Sequence, residues 1–366
     1  MAAMDTIIPV ADAIPLEALK RVLVIKLRHH GDVLLSSPVF SALKRHAPGV
    51  EIDALVYSDT APMLTLHPDI NEVHRIDREW KDLGWFSRLR EELHLFAVLR
   101  AAKYDLVVHL TEHWRGAWIA RLAGVRWAVG PSRPGKRWKR SFTHRIAHPR
   151  NALRHVVEVN LDALRRIGIY PAADERKLTL VAGREAEMQV TVHMRNLGLE
   201  NKRFIHIHPA SRWFFKCWTA ERMAALITRL QADGERIVLT AAPTRTETEI
   251  VASIQAKLAT PVASLAGQLN LKELAALTGR AKLFIGVDSA PMHMAAAMGT
   301  PTVALFGPSG DQQWGPWGVP FRVVASRNHP CRPCGIDGCG GGKVSDCLLS
   351  LTPEEVYGAA RELLAP

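Results

Sequence analysis

Nowhere in this chain do two aspartates stand two positions apart. A D-x-D clamp, which holds a divalent metal against a diphosphate, is therefore excluded. Also missing are H-E-x-x-H, G-x-S-x-G and G-x-G-x-x-G, so no zincin helix, nucleophile elbow or dinucleotide fingerprint can be read. "GGGK" imitates the end of a Walker A loop. It fails because Asp337 stands where the first glycine belongs and Val344 where Ser or Thr belongs. No apolar run reaches the ~18 residues a membrane span needs. The opening "MAAMDTIIPVADAIPLEALK" lacks a basic n-region and carries Asp5 and Asp12, so it does not read as a signal peptide. The expected compartment is the cytoplasm, where the few cysteines, five in all, stay reduced. No tandem repeat of solenoid period is present.

What is present is ordinary for a globular chain: 48% hydrophobic and 23% charged residues. A length of 366 residues exceeds one core and predicts two domains. The net charge of +11 points to an anionic partner: a nucleotide, a nucleic acid or an anionic membrane surface.

Apolar strand-like runs alternate with helical periods. "RVLVIKL", "EIDALVY", "NEVHRI" and "YDLVVHL" read as strands, "VFSALKRH", "WFSRLREELHLFAVLRAAK" and "WRGAWIARLAG" as helices. A further helix spans "NALRHVVEVNLDALRRIG", with Asn151 as N-cap and Gly168 as its stop. After a polar stretch, "PAADERKLTLVAGRE", the alternation restarts. "RFIHIHP", "RIVLTA", "LFIGV" and "TVALFG" are strands. The helices between them include ones capped by Thr219 and Asn270, and the last helix has Thr352 as N-cap with Pro353 next. Two β–α runs predict an α/β chain of two doubly wound parallel-sheet domains, 1–180 and 181–350, followed by a terminal helix at 351–366.

Four segments carry candidate chemistry. In "KLRHHGDVLLSSP" a strand runs into a turn where Asp32, a carboxylate, stands in a place usually left to glycine and anion-binding N–H groups. In "HPASRWFFKCW" Ser211, Arg212 and Lys216 offer a hydroxyl and two cations at a strand end, a set suited to a diphosphate. The competing reading is a solvated basic loop over packed aromatics. In "GVDSAPMHMAAAMG" a strand ends at Asp288, and Ser289 opens a helix of small residues whose N-terminus suits phosphate. Asp288 accepts sugar hydroxyls or caps the helix, and His293 is a ligand contact or a core histidine. "PSRPGKRWKRSFTHRIAHPR" holds seven Lys or Arg and no acid, and reads as a mobile basic loop for phosphorylated groups or an anionic surface. "CRPCGIDGCGGGKVSDC" gathers Cys331, Cys334, Cys339 and Cys347. Its C-x2-C start is metal-like, but the later gaps match no zinc module, so buried thiols are favoured over structural zinc.

Taken in order, "KLRHHGDVLLSSPVFSALKR", "HPASRWFFKCW", "VDSAPMHMAAAMGTPTVALFGPSG" and "CRPCGIDGCGGGKVSDCLLSL" resemble the family 9 glycosyltransferases, the lipopolysaccharide heptosyltransferases. Within the family they are most similar to the heptosyltransferase III branch. The resemblance runs from about Arg21 to the final helix. It implies a GT-B architecture of two Rossmann-like domains facing an interdomain cleft, with the final helix packing back toward the first. It implies inverting transfer of heptose from ADP-heptose to a lipid A–core acceptor, without cofactor or metal. In that frame Asp32 is the general base and Lys216 stabilises the leaving diphosphate. Ser211, Arg212, Asp288, Ser289 and His293 contact the donor, and Glu247 lies near the adenosine ribose. The basic residues Arg133, Lys136, Arg137, Lys139 and Arg140 would meet the phosphorylated core at the inner face of the inner membrane. One departure is "DSAP" in place of the family's "D-T-G/S": Pro291 removes one N–H from the helix start. The rivals are a GT-B enzyme using another nucleotide sugar, such as an epimerase, and a basic nucleic-acid-binding module.

Overall fold

The computed structural model describes residues 10–147, 153–200 and 203–365. The chain divides into two compact units, Met1–Thr179 and Leu180–Pro366, against an expected division after residue 180. Long runs of Val, Ile and Leu form the central strands, because parallel strands covered by helices are apolar on both faces.

The first unit comprises β1 (Arg21–Ile25), α1 (His30–Leu34), α2 (Ser37–His46), β2 (Glu51–Tyr57), β3 (Glu72–Ile76), α3 (Trp85–Ala101), β4 (Leu106–His109), α4 (Trp114–Leu122), β5 (Trp127–Pro131), α5 (Lys136–Lys139), β6 (His144–Ile146) and α6 (Val156–Arg165). Its strands pair in parallel in the order β3-β2-β1-β4-β5-β6. Leu23, Ile25, Leu55 and Val107 of the sheet pack with Leu95 and Leu99 of α3. The expected N-cap Asn151 lies outside the described residues. Helix α6 starts behind His155, whose ring accepts from the Val157 N–H.

The second unit comprises α7 (Arg184–Asn196), β7 (Ile205–His208), α8 (Ala220–Ala232), β8 (Ile237–Leu239), α9 (Arg245–Gln255), β9 (Ala263–Ser264), α10 (Leu271–Gly279), β10 (Leu283–Val287), α11 (Ala290–Ala297), β11 (Thr302–Phe306), α12 (Asp311–Trp314), β12 (Phe321–Ala325), α13 (Asp346–Leu349) and α14 (Pro353–Leu364). Its parallel order is β12-β11-β10-β7-β8-β9. Both sheets thus start at the centre, wind outward, return and wind the other way, the Rossmann order. Thr219 and Asn270 cap α8 and α10 as their side chains predict, and Thr352 with Glu355 closes a capping box on α14. Helix α14 packs on α8, β10, β11 and β12 of the second unit, burying Val356 and Ala360 in the second core.

Two histidines on β7 are buried where a parallel strand is normally apolar. The rings of His206 and His208 share the Thr240 hydroxyl at 2.7 and 2.8 Å. Burial pushes both below the usual imidazole range, His208 to about 4. An unfolded chain takes up the proton near pH 6.5, the native one only near pH 4, so His208 removes stability as pH falls through that window. At pH 5 the loss is about 2 kcal/mol. Urea unfolding of the second unit should therefore weaken between pH 7 and pH 5, and His208→Asn should flatten that dependence by about 2 kcal/mol. An unchanged slope would contradict the assignment.

Candidate functional site

In a doubly wound sheet the connections leave in opposite directions at one point, and a crevice opens beyond the strand ends there. In the second unit that point lies between β7 and β10. His208 pairs with Gly286 across it. A Cβ on Gly286 would stand 2.6 Å from the Phe284 ring and 3.1 Å from the His208 carbonyl oxygen, so glycine permits this close pairing.

Both strands deliver charge to the crevice. The connection after β7 carries Lys216, and β10 runs directly into Asp288. Lys216 Nζ donates to Asp288 Oδ2 at 2.5 Å. The carboxylate side chain is 8% exposed and the lysine 21%, so water can still reach the cation. The cation expected to meet a diphosphate is thus already paired with a carboxylate. Asp288 is not the N-cap of α11. That position belongs to Ser289, whose Oγ donates to the Val287 carbonyl at 3.2 Å and makes no cap bond. The N-terminus of α11 therefore opens beside an ion pair, without its own side-chain cap.

Around this pair the other candidates divide. Ser211 is buried, and its Oγ accepts from the Trp213 N–H at 3.3 Å. Arg212 lies over the Trp213 ring at 5.0 Å. Phe215 and Trp218 are buried, while Trp213 and Phe214 remain exposed, so part of this aromatic loop is anchored. Glu247 is buried in the first turn of α9, and Oε2 accepts from the Ala242 N–H at 3.1 Å. It stands 3.8 Å from His208 Nε2. Burial keeps that imidazole neutral at pH 7, so the contact is polar rather than ionic. His293 is buried on α11, its ring 6.5 Å from that of Trp314.

In the first unit the reversal lies between β1 and β4. Asp32 sits in the first turn of α1, not in an open loop, with its side chain 12% exposed and Arg28 Nε 3.4 Å from Oδ1. Sequence reasoning passed over Lys26, which ends the buried strand run. Its Nζ donates to the Leu110 carbonyl at 3.2 Å and to Asn160 Oδ1 at 2.8 Å. Asn160 in turn donates to the Leu35 carbonyl at 2.9 Å. Burial pushes the amine down to about 8, and the charge of Asp32 opposes that shift. The signal was available: a lysine closing the otherwise apolar "VLVIK".

The basic segment is not simply a loop. Pro131 ends β5, Lys136–Lys139 form α5, and His144–Ile146 form the edge strand β6; residues 148–150 lie outside the described residues. Trp138 explains the order: it is fully buried, and its Nε1 donates to the Pro131 carbonyl at 2.8 Å. That anchor leaves Lys136, Arg137, Lys139 and Arg140 exposed. Arg133 donates to the Glu112 carbonyl at 3.0 Å and lies over the Trp114 and Trp138 rings.

Two further features were not foreseen. Trp85, Phe86, Leu89 and Leu93 of α3 are exposed, as are Trp114, Trp118 and Leu122 of α4. The two helices are tied by Arg115 and Glu92. Also, the expected buried thiols are mostly not buried: Cys331, Cys334 and Cys339 are exposed, and only Cys347 is buried. The segment holding them has too few apolar side chains to cover itself. Among the described residues, the three ligand atoms of His, Cys, Asp or Glu found within 4.8 Å of one another belong to Asp53, Glu72 and His74. There Asp53 already accepts from Arg21 and Tyr104 at 3.0 and 2.7 Å.

Two Rossmann-like units, one with an ion pair beside a helix N-terminus at its strand-end crevice, form an α/β architecture that suits a phosphate-bearing ligand. The sequence profile of glycosyltransferase family 9 (heptosyltransferase) matches residues 93–344, and the chain belongs to that family. It is 37% identical over 344 residues to lipopolysaccharide heptosyltransferase 3 of Escherichia coli K12, covering 93% of this chain and 96% of that one. Its fold matches a family 9 glycosyl transferase from Veillonella parvula with a TM-score of 0.83, at 24% identity and over 97% and 99% of the two chains. It also matches the E. coli heptosyltransferase WaaC, solved with ADP-2-deoxy-2-fluoro heptose, with a TM-score of 0.71, at 21% identity and over 93% and 99%.

The close pairing at Gly286 is testable. Gly286→Ala should destabilise the second unit by about 1–3 kcal/mol through the displaced Phe284 ring and His208 carbonyl. Urea unfolding checks it; a neutral outcome would mean that the strands have room to spare.

Proposed function

We propose that this chain is an inverting heptosyltransferase that moves L-glycero-D-manno-heptose from ADP-heptose onto the inner core of lipopolysaccharide, as the third heptose. The similarity to heptosyltransferase 3 supports the substrate pair. The observation that carries the mechanism is the Lys216–Asp288 pair at the β7/β10 crevice.

The donor diphosphate competes with Asp288 for Lys216. Once Lys216 turns to the phosphates, its charge and the N-terminal N–H groups of α11 offset the negative charge that grows as ADP departs. Asp288, released, accepts hydroxyls of the heptose. Ser211, Arg212, Ser289 and His293 line the donor site, and Glu247 takes the ribose hydroxyls. Asp32 removes the proton from the acceptor hydroxyl as that oxygen attacks the anomeric carbon from the face opposite the leaving group. The proposed transfer uses no metal. Arg133, Lys136, Arg137, Lys139 and Arg140 meet the phosphates of the core.

Because the acceptor is a lipid, the reading puts the protein at the inner face of the inner membrane. Among the described residues no helix is long and apolar enough to cross a bilayer, so the contact is peripheral. The outward Trp85, Phe86, Leu89 and Leu93 of α3, with Arg88 and Arg90 on the same exposed turns, fit the boundary between headgroups and acyl chains. The net charge of +11 favours an anionic surface.

Asp32→Asn should lower kcat by about 10²–10⁴ with ADP affinity unchanged; near-native turnover removes Asp32 as the base. Lys216→Ala should weaken ADP binding by about tenfold or more, as expected for a lost charge-assisted bond; unchanged calorimetric affinity contradicts its role. The double variant Trp85→Ser, Phe86→Ser should lose at least about tenfold in co-sedimentation with phosphatidylglycerol-containing vesicles. Equal sedimentation of both proteins assigns the membrane contact elsewhere.

A further inference from the structure

The two histidines of β7 belong to a hydrogen-bonded chain whose direction follows from its donors. Thr278 Oγ1 donates its single proton to the Leu274 carbonyl at 2.6 Å. His206 Nδ1 lies 3.1 Å from the same oxygen, so the imidazole supplies the proton between them. Burial keeps both imidazoles neutral, each with one N–H. His206 Nε2 is therefore bare, and it accepts from the Thr240 hydroxyl at 2.7 Å. With that proton engaged, Thr240 Oγ1 accepts from His208 Nδ1 at 2.8 Å. Each bond fixes the next, from a backbone carbonyl of α10 to the last residue of β7.

The chain leaves a lone pair on His208 Nε2. Facing it is Glu247 Oε2 at 3.8 Å, and the two side chains are only 4% and 8% exposed. That separation is too long for a hydrogen bond, and the carboxylate oxygen already accepts from the Ala242 N–H. Two acceptors turned toward each other in a buried place repel, and neither satisfies the other. Moving the His208 proton to Nε2 would turn the contact attractive, but it would break the bond to Thr240. The relay thus holds the proton away from the side of the ring that meets the carboxylate. His208 ends β7 beside β10, where the strand-end crevice opens. The pair is complete only with a group that donates to both atoms.

We propose that His208 Nε2 and the Glu247 carboxylate are paired acceptors for the two neighbouring hydroxyls of a nucleotide's ribose, and that His208 makes the site selective for ribonucleotides over deoxyribonucleotides. Given the donor-site reading of this crevice, on which this rests, one hydroxyl donates to the carboxylate and the other to the imidazole. A deoxyribose leaves one buried acceptor without a donor, which costs more than the absence of a contact. Thr240 and Thr278 are positioning residues. They act through His208 by holding its ring in the accepting tautomer.

The test is calorimetric binding of ADP, 2′-deoxy-ADP and 3′-deoxy-ADP to the full chain. ADP should bind about 3–10-fold more tightly than either deoxynucleotide. His208→Phe should become indifferent to the loss of one hydroxyl while still discriminating against loss of the other. Thr240→Val, which frees the ring to carry its proton on Nε2, should become indifferent to the same one. A merely structural role for His208 would lower all three affinities by one factor and leave their ratios as in the unaltered protein. Imidazole nitrogen NMR of the unaltered protein should find the His208 proton on Nδ1, a result that does not depend on either variant folding. Equal affinity of the unaltered protein for all three nucleotides would overturn the proposal. So would unchanged ratios in both variants, or a proton on His208 Nε2. No ADP binding at all would overturn the donor-site reading and this selectivity with it, whereas ADP binding without discrimination overturns the selectivity alone.

Discussion

The ion pair between Lys216 and Asp288 is the interaction on which the proposed chemistry of the second unit turns. Two charges held 2.5 Å apart at a strand-end crevice are costly to desolvate singly and tolerable as a pair. The pairing stores a cation at the crevice without leaving it unbalanced when no ligand is bound. In the proposed reading Asp288 and Lys216 exchange this contact for distinct partners, hydroxyls for the one and phosphate oxygens for the other. A free lysine would attract any anion. A lysine already held by a carboxylate favours a ligand that satisfies both groups, which is what the proposed sugar diphosphate offers.

The backbone makes this possible. Parallel pairing of β7 with β10 brings together loops that are 72 residues apart, and the small Gly286 lets the strands approach closely. The same winding occurs in the first unit, where Lys26 spans from the end of β1 to the carbonyl after β4 and to Asn160 on α6. A buried ammonium is an expensive way to join strand ends. Here its donors are directed at oxygens, and Asp32 lies near enough for its charge to favour the protonated amine.

Much of the fold was legible because its signals are local. Asn270 and Thr352 each stand three residues before a glutamate, Thr219 is a hydroxyl just ahead of a helical period, and the apolar runs at Arg21–Ile25 and Leu283–Val287 have strand length. What was not legible depends on distant partners. Short edge strands such as His144–Ile146 carry no period of their own and exist because Trp138 anchors the chain beside them. The cysteines were read as buried because free cysteine usually is, yet the Gly-rich segment has nothing to bury them with. The helical reading of α3 did not say which side is covered; Leu95 and Leu99 face the core while Trp85 and Phe86 face outward. For the site, the motif resemblance supplied the residues, and the coordinates supplied what each one touches. Asp288 was weighed as a cap, and only its contact with Lys216 assigns it elsewhere.

The most direct test of the account is transfer in vitro, with ADP-heptose as donor and lipid A–core acceptors truncated at defined lengths, read by mass spectrometry alongside nucleotide release. The account predicts that an acceptor already carrying two heptoses gains the mass of one more, with one ADP released per transfer. No gain on any core, or turnover of a UDP-sugar in its place, would contradict it.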